Sequence, residues 1–281
     1  MEAILEPLGF QFFQRALLAS AMVGLVCAVV GSYVVLKGLA FIGDALSHAA
    51  FPGVVVAFLL GTPFYIGGVV AAVAAALAIT WVSRRGRIRT DTAIGVVFAG
   101  TFALGVFLFS SIQGYVADLF ALLFGNVLGI GQEDLLALGL LGGSVLVVVA
   151  LLWKELLYST FDPLGAAASG VRVNALDYLF LAIVALTIVV SLQAVGIILV
   201  VAMLVTPAAT AQLLTVRFGR LMLGAILVGM GSAVAGLYIS YWLNVASGAT
   251  IVLVQSAVFV VALLLGPRTG LLHARRPATA T

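Results

Sequence analysis

Long apolar runs follow one another along nearly the whole chain, and each run ends at a short polar or Gly/Pro-containing break. An α-helix needs about 20 apolar residues to cross the hydrocarbon layer of a bilayer, and nine runs come close to that length or exceed it. The pattern therefore predicts nine transmembrane helices, or eight with the N-terminus inside if one run is re-entrant. The runs lie at about residues 14–36, 38–60, 64–84, 91–110, 133–153, 175–193, 196–216, 219–243 and 248–266.

The composition excludes a soluble globular protein. Of the 281 residues, 64% are hydrophobic and only 8% are charged, and the mean hydropathy is +1.30. The 31 glycines and the length of the apolar runs are typical of closely packed spanning helices and not of an alternating-strand barrel. We therefore expect an all-α integral membrane protein that forms one transmembrane domain over residues 1–281.

Two segments outside these runs are predicted to form short helices. Residues 115–129 read YVADLFALLFGNVLG, which is too short to cross, so we expect a helix that lies at one face or dips into it. In the longest connection, Asp162 and Pro163 form an N-cap followed by Pro at the first helical position, and Gly170 is a plausible stop. A short exposed helix is therefore predicted at about 162–170. On these residues alone it is either a solvated loop helix or a docking element for a cytoplasmic partner.

Lysine and arginine collect on one side of the predicted spans. If the spans alternate, that side receives twelve of the 13 Lys and Arg residues, and Arg15 near the start of the first span is the exception. Connections rich in Lys and Arg stay cytoplasmic. We therefore expect a multi-pass protein of a cytoplasmic membrane, with a cytoplasmic C-terminal tail at 268–281 and an N-terminus on the outer side.

Two common catalytic motifs are absent from the sequence. A Walker A loop needs Gly-Lys-Ser/Thr, and neither Lys37 nor Lys154 stands in that motif, so the chain does not itself bind ATP through a P-loop. Neither His48 nor His273 begins HExxH, which excludes an intramembrane metalloprotease of that type. We expect no catalytic activity of its own, no permanently bound cofactor and no nucleic-acid partner.

One carboxylate and one imidazole stand inside the second apolar run. Asp44 and His48 are four residues apart, which places both side chains on one face of a helix. If that helix starts at about residue 38, Asp44 lies roughly 10 Å beyond Lys37 and His48 about 6 Å further, well inside a hydrocarbon layer of about 30 Å. A charge at that depth costs about 2.5 to 3.5 kcal/mol, so ionisable groups there usually mark an ion or substrate path.

Carboxylate oxygen and imidazole nitrogen are ligands that suit Mn²⁺, Fe²⁺ and Zn²⁺, and no thiolate accompanies them. The pair is therefore a candidate metal site, with water, backbone carbonyls or a second copy of the chain completing the shell. Three other interpretations stay open. Asp44 could be protonated and form a hydrogen bond to a neighbouring helix, His48 could serve only in packing, or the two could form a proton relay. A nucleophilic role for Ser47 is disfavoured, because adjacent helix positions point about 100° apart and no oxyanion device is evident.

A few other residues inside the spans are candidates for a path or a gate. Pro52 and Pro207 lack the amide hydrogen, so each frees a backbone carbonyl that needs another partner, and Pro207 is expected to kink or break its helix. Thr206 and Met203 precede Pro207 and could line the same path, although core packing is the safer interpretation of Met203. Gln255 is expected to hydrogen-bond between helices, the commoner use of such a group in membranes.

The segment LKGLAFIGDALSHAAFPGVVVAFLLG at 36–61 closely resembles the signature region of the membrane permeases of ABC importers for zinc, manganese and iron. Three further segments agree with that family in order, so the resemblance covers nearly the whole chain. They are DLFALLFGNVLGI at 118–130, FDPLGAAASGVRVNALDYL at 161–179 and GIILVVAMLVTPAATAQLL at 196–214.

This resemblance implies a prokaryotic permease that pairs as a homodimer. It also implies two cytoplasmic ATP-binding subunits and an extracytoplasmic solute-binding protein that delivers the metal. Asp44 and His48 match the family's intramembrane metal-site positions, and the 162–170 helix matches its coupling element. The sequence departs from the family where Leu164 follows Asp-Pro in place of a frequent acidic residue.

The function expected from this resemblance is ATP-driven import of Mn²⁺, Zn²⁺ or Fe²⁺ by alternating access past Asp44 and His48. Two alternatives are a proton-coupled secondary carrier that uses the same pair and an ABC permease for a metal chelate. An intramembrane enzyme is remote, because no second catalytic constellation accompanies the pair.

Overall fold

The computed structural model describes residues 6–112 and 127–266, and every regular element in these two ranges is a helix. The all-α prediction is confirmed. Short 3₁₀ turns lie at Pro7–Gly9 and Val127–Gly129. The α-helices are α1 Gln11–Leu36, α2 Ile42–Ala49, α3 Phe51–Leu60, α4 Phe64–Gly86, α5 Thr90–Ser110, α6 Gln132–Leu151, α7 Trp153–Phe161, α8 Pro163–Ala168, α9 Val173–Val195, α10 Ile197–Leu214, α11 Phe218–Leu243 and α12 Ser247–Leu265.

Nine stretches within the described residues are long and apolar enough to cross a membrane, which is the number predicted. Eight of them are single helices, and α2 and α3 together form the ninth, at Ile42–Leu60. The predicted helix at 115–129 falls on residues outside the described ranges except for Val127–Gly129. The predicted tail at 268–281 lies wholly outside them.

The second span differs from the expectation in its start and in its continuity. Lys37 caps α1, and Gly38 then adopts φ +69, a left-handed conformation that suits glycine, so the chain turns and the span begins at Ile42 and not at residue 38. The helix is interrupted at Ala50, and Pro52 occupies the first turn of α3. Because Pro52 has no amide hydrogen, it cannot form the α-helical hydrogen bond to the carbonyl of His48.

The long connection contains two helices where one was predicted. The predicted helix is present as α8, and the Oδ1 atom of its N-cap Asp162 accepts a hydrogen bond from the amide of Gly165 at 2.8 Å. Gly170 follows with φ +87, the conformation expected at a helix stop. The additional helix is α7, at Trp153–Phe161, whose Leu156 packs into the core. The sequence pattern did not predict α7, because the helix contains charged residues and no side chain caps its N-terminus.

Glycines allow the closest helix contacts, as expected for membrane helices. A Cβ atom on Gly31 of α1 would overlap the backbone carbonyl oxygen of Leu204 in α10. Gly53 of α3 and Gly67 of α4 have the same relation to each other. The first span is the most buried of the nine, with 72% of its apolar window buried, and α5 is the least, with 17%. A face of α5 is therefore available for lipid or for a partner chain.

Candidate metal-ion site

Asp44 and His48 are the two residues of α2 that reach the surface between buried neighbours. Ile42, Ala45 and Leu46 are buried against the surrounding helices, and this apolar side fixes the rotation of α2 about its axis. The polar pair then shares the opposite side. The Nε2 atom of His48 lies 3.6 Å from the Oδ1 atom of Asp44.

His48 lies at the middle of the bundle. Its ring centroid is 5.6 Å from that of Phe98 and 5.1 Å from that of Phe102, and the ring meets Phe102 edge-on at 75°. These two phenylalanines stand on either side of the midpoint of α5, a helix of 21 residues. His48 is therefore about 15 Å from either end of α5, and Asp44 lies one helical turn closer to the end at which α5 begins.

The pair is incompletely covered by the described chain. The side chain of Asp44 is 50% exposed and that of His48 is 28% exposed. The Nδ1 atom of His48 is buried, and no hydrogen-bond partner for it lies within residues 6–112 and 127–266. A half-exposed carboxylate at mid-depth is costly against lipid. This face therefore requires either a polar path or a second protein surface over it.

The spacing of the pair fits a metal cation. Two ligand atoms that each lie about 2.1 Å from a tetrahedral ion are about 3.4 Å apart, close to the observed separation of Nε2 and Oδ1. In the part of the chain that the structure describes, no cluster of three or more His, Cys, Asp or Glu residues could hold a metal ion.

The other predicted path residues lie on the core side of the bundle. Met203 is fully buried, and Pro207 is buried inside α10, which continues to Leu214 without the predicted break. The carbonyl of Thr206 accepts a hydrogen bond from the hydroxyl of Thr210 at 2.7 Å. Thr206 itself is half-buried. A role of these three residues in a path stays a prediction. Pro52 does lie near α5, since a Cβ atom on Gly105 would come 3.1 Å from its ring.

The end of the molecule that carries α8 exposes apolar side chains. Leu164 is 85% exposed and Phe161, just before the cap Asp162, is 61% exposed. An exposed helix tip of this kind offers an apolar contact surface whose local shape is fixed by the Asp162 cap and the Pro163 ring.

The sequence analysis did not identify Phe98 and Phe102, the two aromatic residues that contact His48. The signal was the spacing of Phe98 and Phe102, which stand four apart in FAGTF and so share one face of a helix. The hydroxyl of Ser47 donates to the carbonyl of Gly43 at 2.8 Å and does not join the pair. The side chain of Gln255 is fully buried, and neither of its amide atoms has a hydrogen-bond partner within the described residues.

Comparison with known proteins gives consistent matches over nearly the full chain. The model of the ABC 3 transport family matches residues 9–266. The chain is 45% identical over 267 residues to the manganese transport system membrane protein MntC of Halalkalibacterium halodurans, covering 95% of this chain and 91% of that one. It is 39% identical over 278 residues to a membrane protein of Haemophilus influenzae named for probable iron transport, covering 99% and 98%.

A solved structure has the same fold. PsaBC from Streptococcus pneumoniae, in complex with Fab, superposes with a TM-score of 0.84 at 37% sequence identity. The match covers 95% of this chain and 96% of the solved chain.

Proposed function

The chain belongs to the ABC 3 transport family, and from this premise we propose that it is the membrane permease subunit of an ATP-driven importer for a divalent transition-metal ion. The observation that carries the proposal is the pairing of Asp44 and His48 at mid-depth, with two ligand atoms 3.6 Å apart. Relatives named for manganese and iron transport support the same cargo class. The protein is then a multi-pass component of a prokaryotic cytoplasmic membrane.

The ligand types favour a transition metal over the abundant alkaline-earth ions. Ca²⁺ and Mg²⁺ prefer shells built from oxygen alone, whereas an imidazole nitrogen suits Mn²⁺, Fe²⁺ and Zn²⁺. Manganese is the first candidate, because several relatives at about 40% identity or more carry that metal in their names. The ion is cargo, and an incomplete shell favours brief binding during passage.

A second copy of the chain completes the site in this proposal. A two-fold axis beside α2 would bring another Asp44 and His48 to the first pair and supply two oxygen and two nitrogen ligands. The half-exposed carboxylate and the poorly buried α5 next to it support this arrangement. The same contact would remove Asp44 from lipid.

ATP hydrolysis is assigned to two separate cytoplasmic subunits, because the chain has no P-loop. We place their docking surface at α8, where Asp162, Pro163 and Gly170 shape the helix and Leu164 is exposed. This assignment puts the C-terminal tail on the cytoplasmic side. An extracytoplasmic solute-binding protein would deliver the metal to the other face. Alternating access then needs different contacts between the two copies in each state.

Uptake of radioactive manganese into liposomes tests the proposal, with the permease, its ATP-binding partner and the solute-binding protein reconstituted together. Asp44→Asn replaces the charged carboxylate by a neutral amide, and His48→Gln removes the imidazole nitrogen, both at similar side-chain size. Each is expected to reduce uptake at least tenfold. The control Asp91→Asn alters an exposed carboxylate at the start of α5 and should leave uptake unchanged.

Undiminished uptake by both site variants would defeat the metal-site assignment. Transport by the permease alone, driven by a pH gradient without the ATP-binding partner, would instead favour a proton-coupled carrier. Preferential uptake of a chelated metal over the free ion would favour a chelate permease.

A further inference from the structure

A polar cavity of about 320 Å³ lies at the end of the bundle opposite the start of α1. It is enclosed by the residues that follow α1, the last turns of α4, the first residue of α5 and the beginning of α9. Its polar lining consists of Lys37, Thr80, Ser83, Arg84, Thr90 and Asp177. None of these residues belongs to the candidate metal site.

The cavity carries a positive net charge. The Nζ atom of Lys37 lies 3.0 Å from Oδ1 of Asp177, and Arg84 forms an ion pair with the other carboxylate oxygen. Two positive charges against one negative charge leave a net charge of +1. An ammonium has three N–H donors and a guanidinium five, so the contacts to Asp177 and Asn174 leave donors on both cations. This charge disfavours a metal ion and favours an anion.

Along the axis of the bundle, the cavity lies at the level expected for the lipid headgroups. Trp81, one turn before Arg84 in α4, is 57% exposed on the outside of the bundle. Exposed tryptophans of membrane proteins concentrate at the membrane-water interface. Arg85 in the last turn of α4, and Arg87 and Arg89 in the connection that follows, all come after Trp81 in the chain and add three further positive charges near Arg84. The cavity thus opens where lipid phosphates are found and where basic residues attract them.

We propose that this cavity binds the phosphate of an anionic phospholipid headgroup, such as that of phosphatidylglycerol. Lys37 and Arg84 bind the phosphate oxygens. The hydroxyl of Ser83 donates to the carbonyl of Ile88 at 3.2 Å and lies 3.2 Å from the hydroxyl of Thr90, so the two cations are the donors on which the proposal rests. Asp177 neutralises one of the two positive charges and leaves an excess of one. Basic pockets between membrane helices on the cytoplasmic side are known to take such headgroups. The site goes beyond transport and does not depend on which cargo is carried.

Native mass spectrometry of the complex in detergent, with phosphatidylglycerol or phosphatidylcholine added, tests the proposal. A basic residue near the surface contributes about 1 kcal/mol to anionic lipid binding, so Lys37→Gln and Arg84→Gln should each lower retained phosphatidylglycerol about fivefold. Asp177→Asn raises the net charge of the cavity and should increase retention about fivefold. Phosphatidylcholine retention should change in none of these variants.

Arg220→Gln is the matched control, since it removes an exposed arginine in the first turn of α11 outside the cavity. An unchanged or lower retention in Asp177→Asn would show that the cluster is only a structural ion pair and would overturn the proposal. Phosphatidylglycerol retention is expected to rise in Asp177→Asn and to fall in the other two cavity variants. Asp177→Asn therefore tests the proposal even if Lys37→Gln fails to fold. A wild-type complex that is stabilised against heat equally by inorganic phosphate and by phosphatidylglycerol would assign the cavity to a soluble anion and also overturn the proposal.

Discussion

Two side chains account for the proposed chemistry at the residue scale. Asp44 provides a charged oxygen that offsets part of the dehydration cost of a dication, and His48 provides the nitrogen that favours transition metals. The spacing of four residues made their shared side predictable from the sequence. The edge-on contact of His48 with Phe102 was not predictable, because it depends on how α2 packs against α5.

Single glycines are equally specific at this scale, and Gly31 provides a test of the packing. Gly31→Ala places a Cβ atom on the backbone carbonyl of Leu204, which cannot move without shifting α10. We expect a loss of about 1 to 3 kcal/mol of stability, measured as a lower melting temperature of the purified protein in detergent.

Gly231→Ala is the control for that measurement, because no atom of another element lies within 4 Å of a Cβ built there in α11. Alanine favours a helix interior over glycine, so this variant should be as stable as the parent or slightly more stable. Equal melting temperatures for Gly31→Ala and Gly231→Ala would contradict the close contact of α1 with α10.

Hydropathy alone was sufficient at the element scale for the number of spans. Runs of about 20 apolar residues have few alternatives in a chain of this composition, and α8 carried a clear cap-and-proline signature at Asp162 and Pro163. The turn before Ile42 and the helix Trp153–Phe161 were missed. Both depend on local backbone geometry or tertiary packing, which the hydrophobic pattern does not reveal.

The exposed tip of α8 gives a prediction for this scale. Leu164→Lys replaces an 85% exposed apolar side chain by a positive charge at the proposed ATPase contact, and desolvating that charge would weaken docking. We expect ATP hydrolysis by the reconstituted complex to lose its dependence on the solute-binding protein, and manganese uptake to fall at least fivefold.

Leu164→Met is the matched control for the tip of α8, because it keeps an apolar side chain of similar volume and should transport normally. Manganese binding to the Leu164→Lys permease should also be unchanged, since α8 lies away from the Asp44 and His48 pair. Full coupling in Leu164→Lys would remove α8 from the docking surface.

At the scale of the whole molecule, the described residues supply only part of the ligands that the proposed metal site needs. Asp44 and His48 lie at mid-depth on a side where α5 is largely exposed, and the described residues supply no third strong ligand. The second copy of the chain that we propose would explain all three observations together. The sequence already offered a second copy as one way to complete the shell. Sequence periodicity assigns side chains to the faces of single helices, so the exposure of α5 beside the pair became evident only when the helices were placed around one another.

The position of manganese in crystals of the complete transporter is the most direct test, measured by anomalous scattering at the manganese absorption edge. We predict one anomalous peak for every two chains, on the two-fold axis and within about 2.3 Å of the Asp44 carboxylate and the His48 imidazole. The peak should vanish in Asp44→Asn crystals. A manganese peak elsewhere in the membrane-spanning region, with none between Asp44 and His48, would contradict the proposed site.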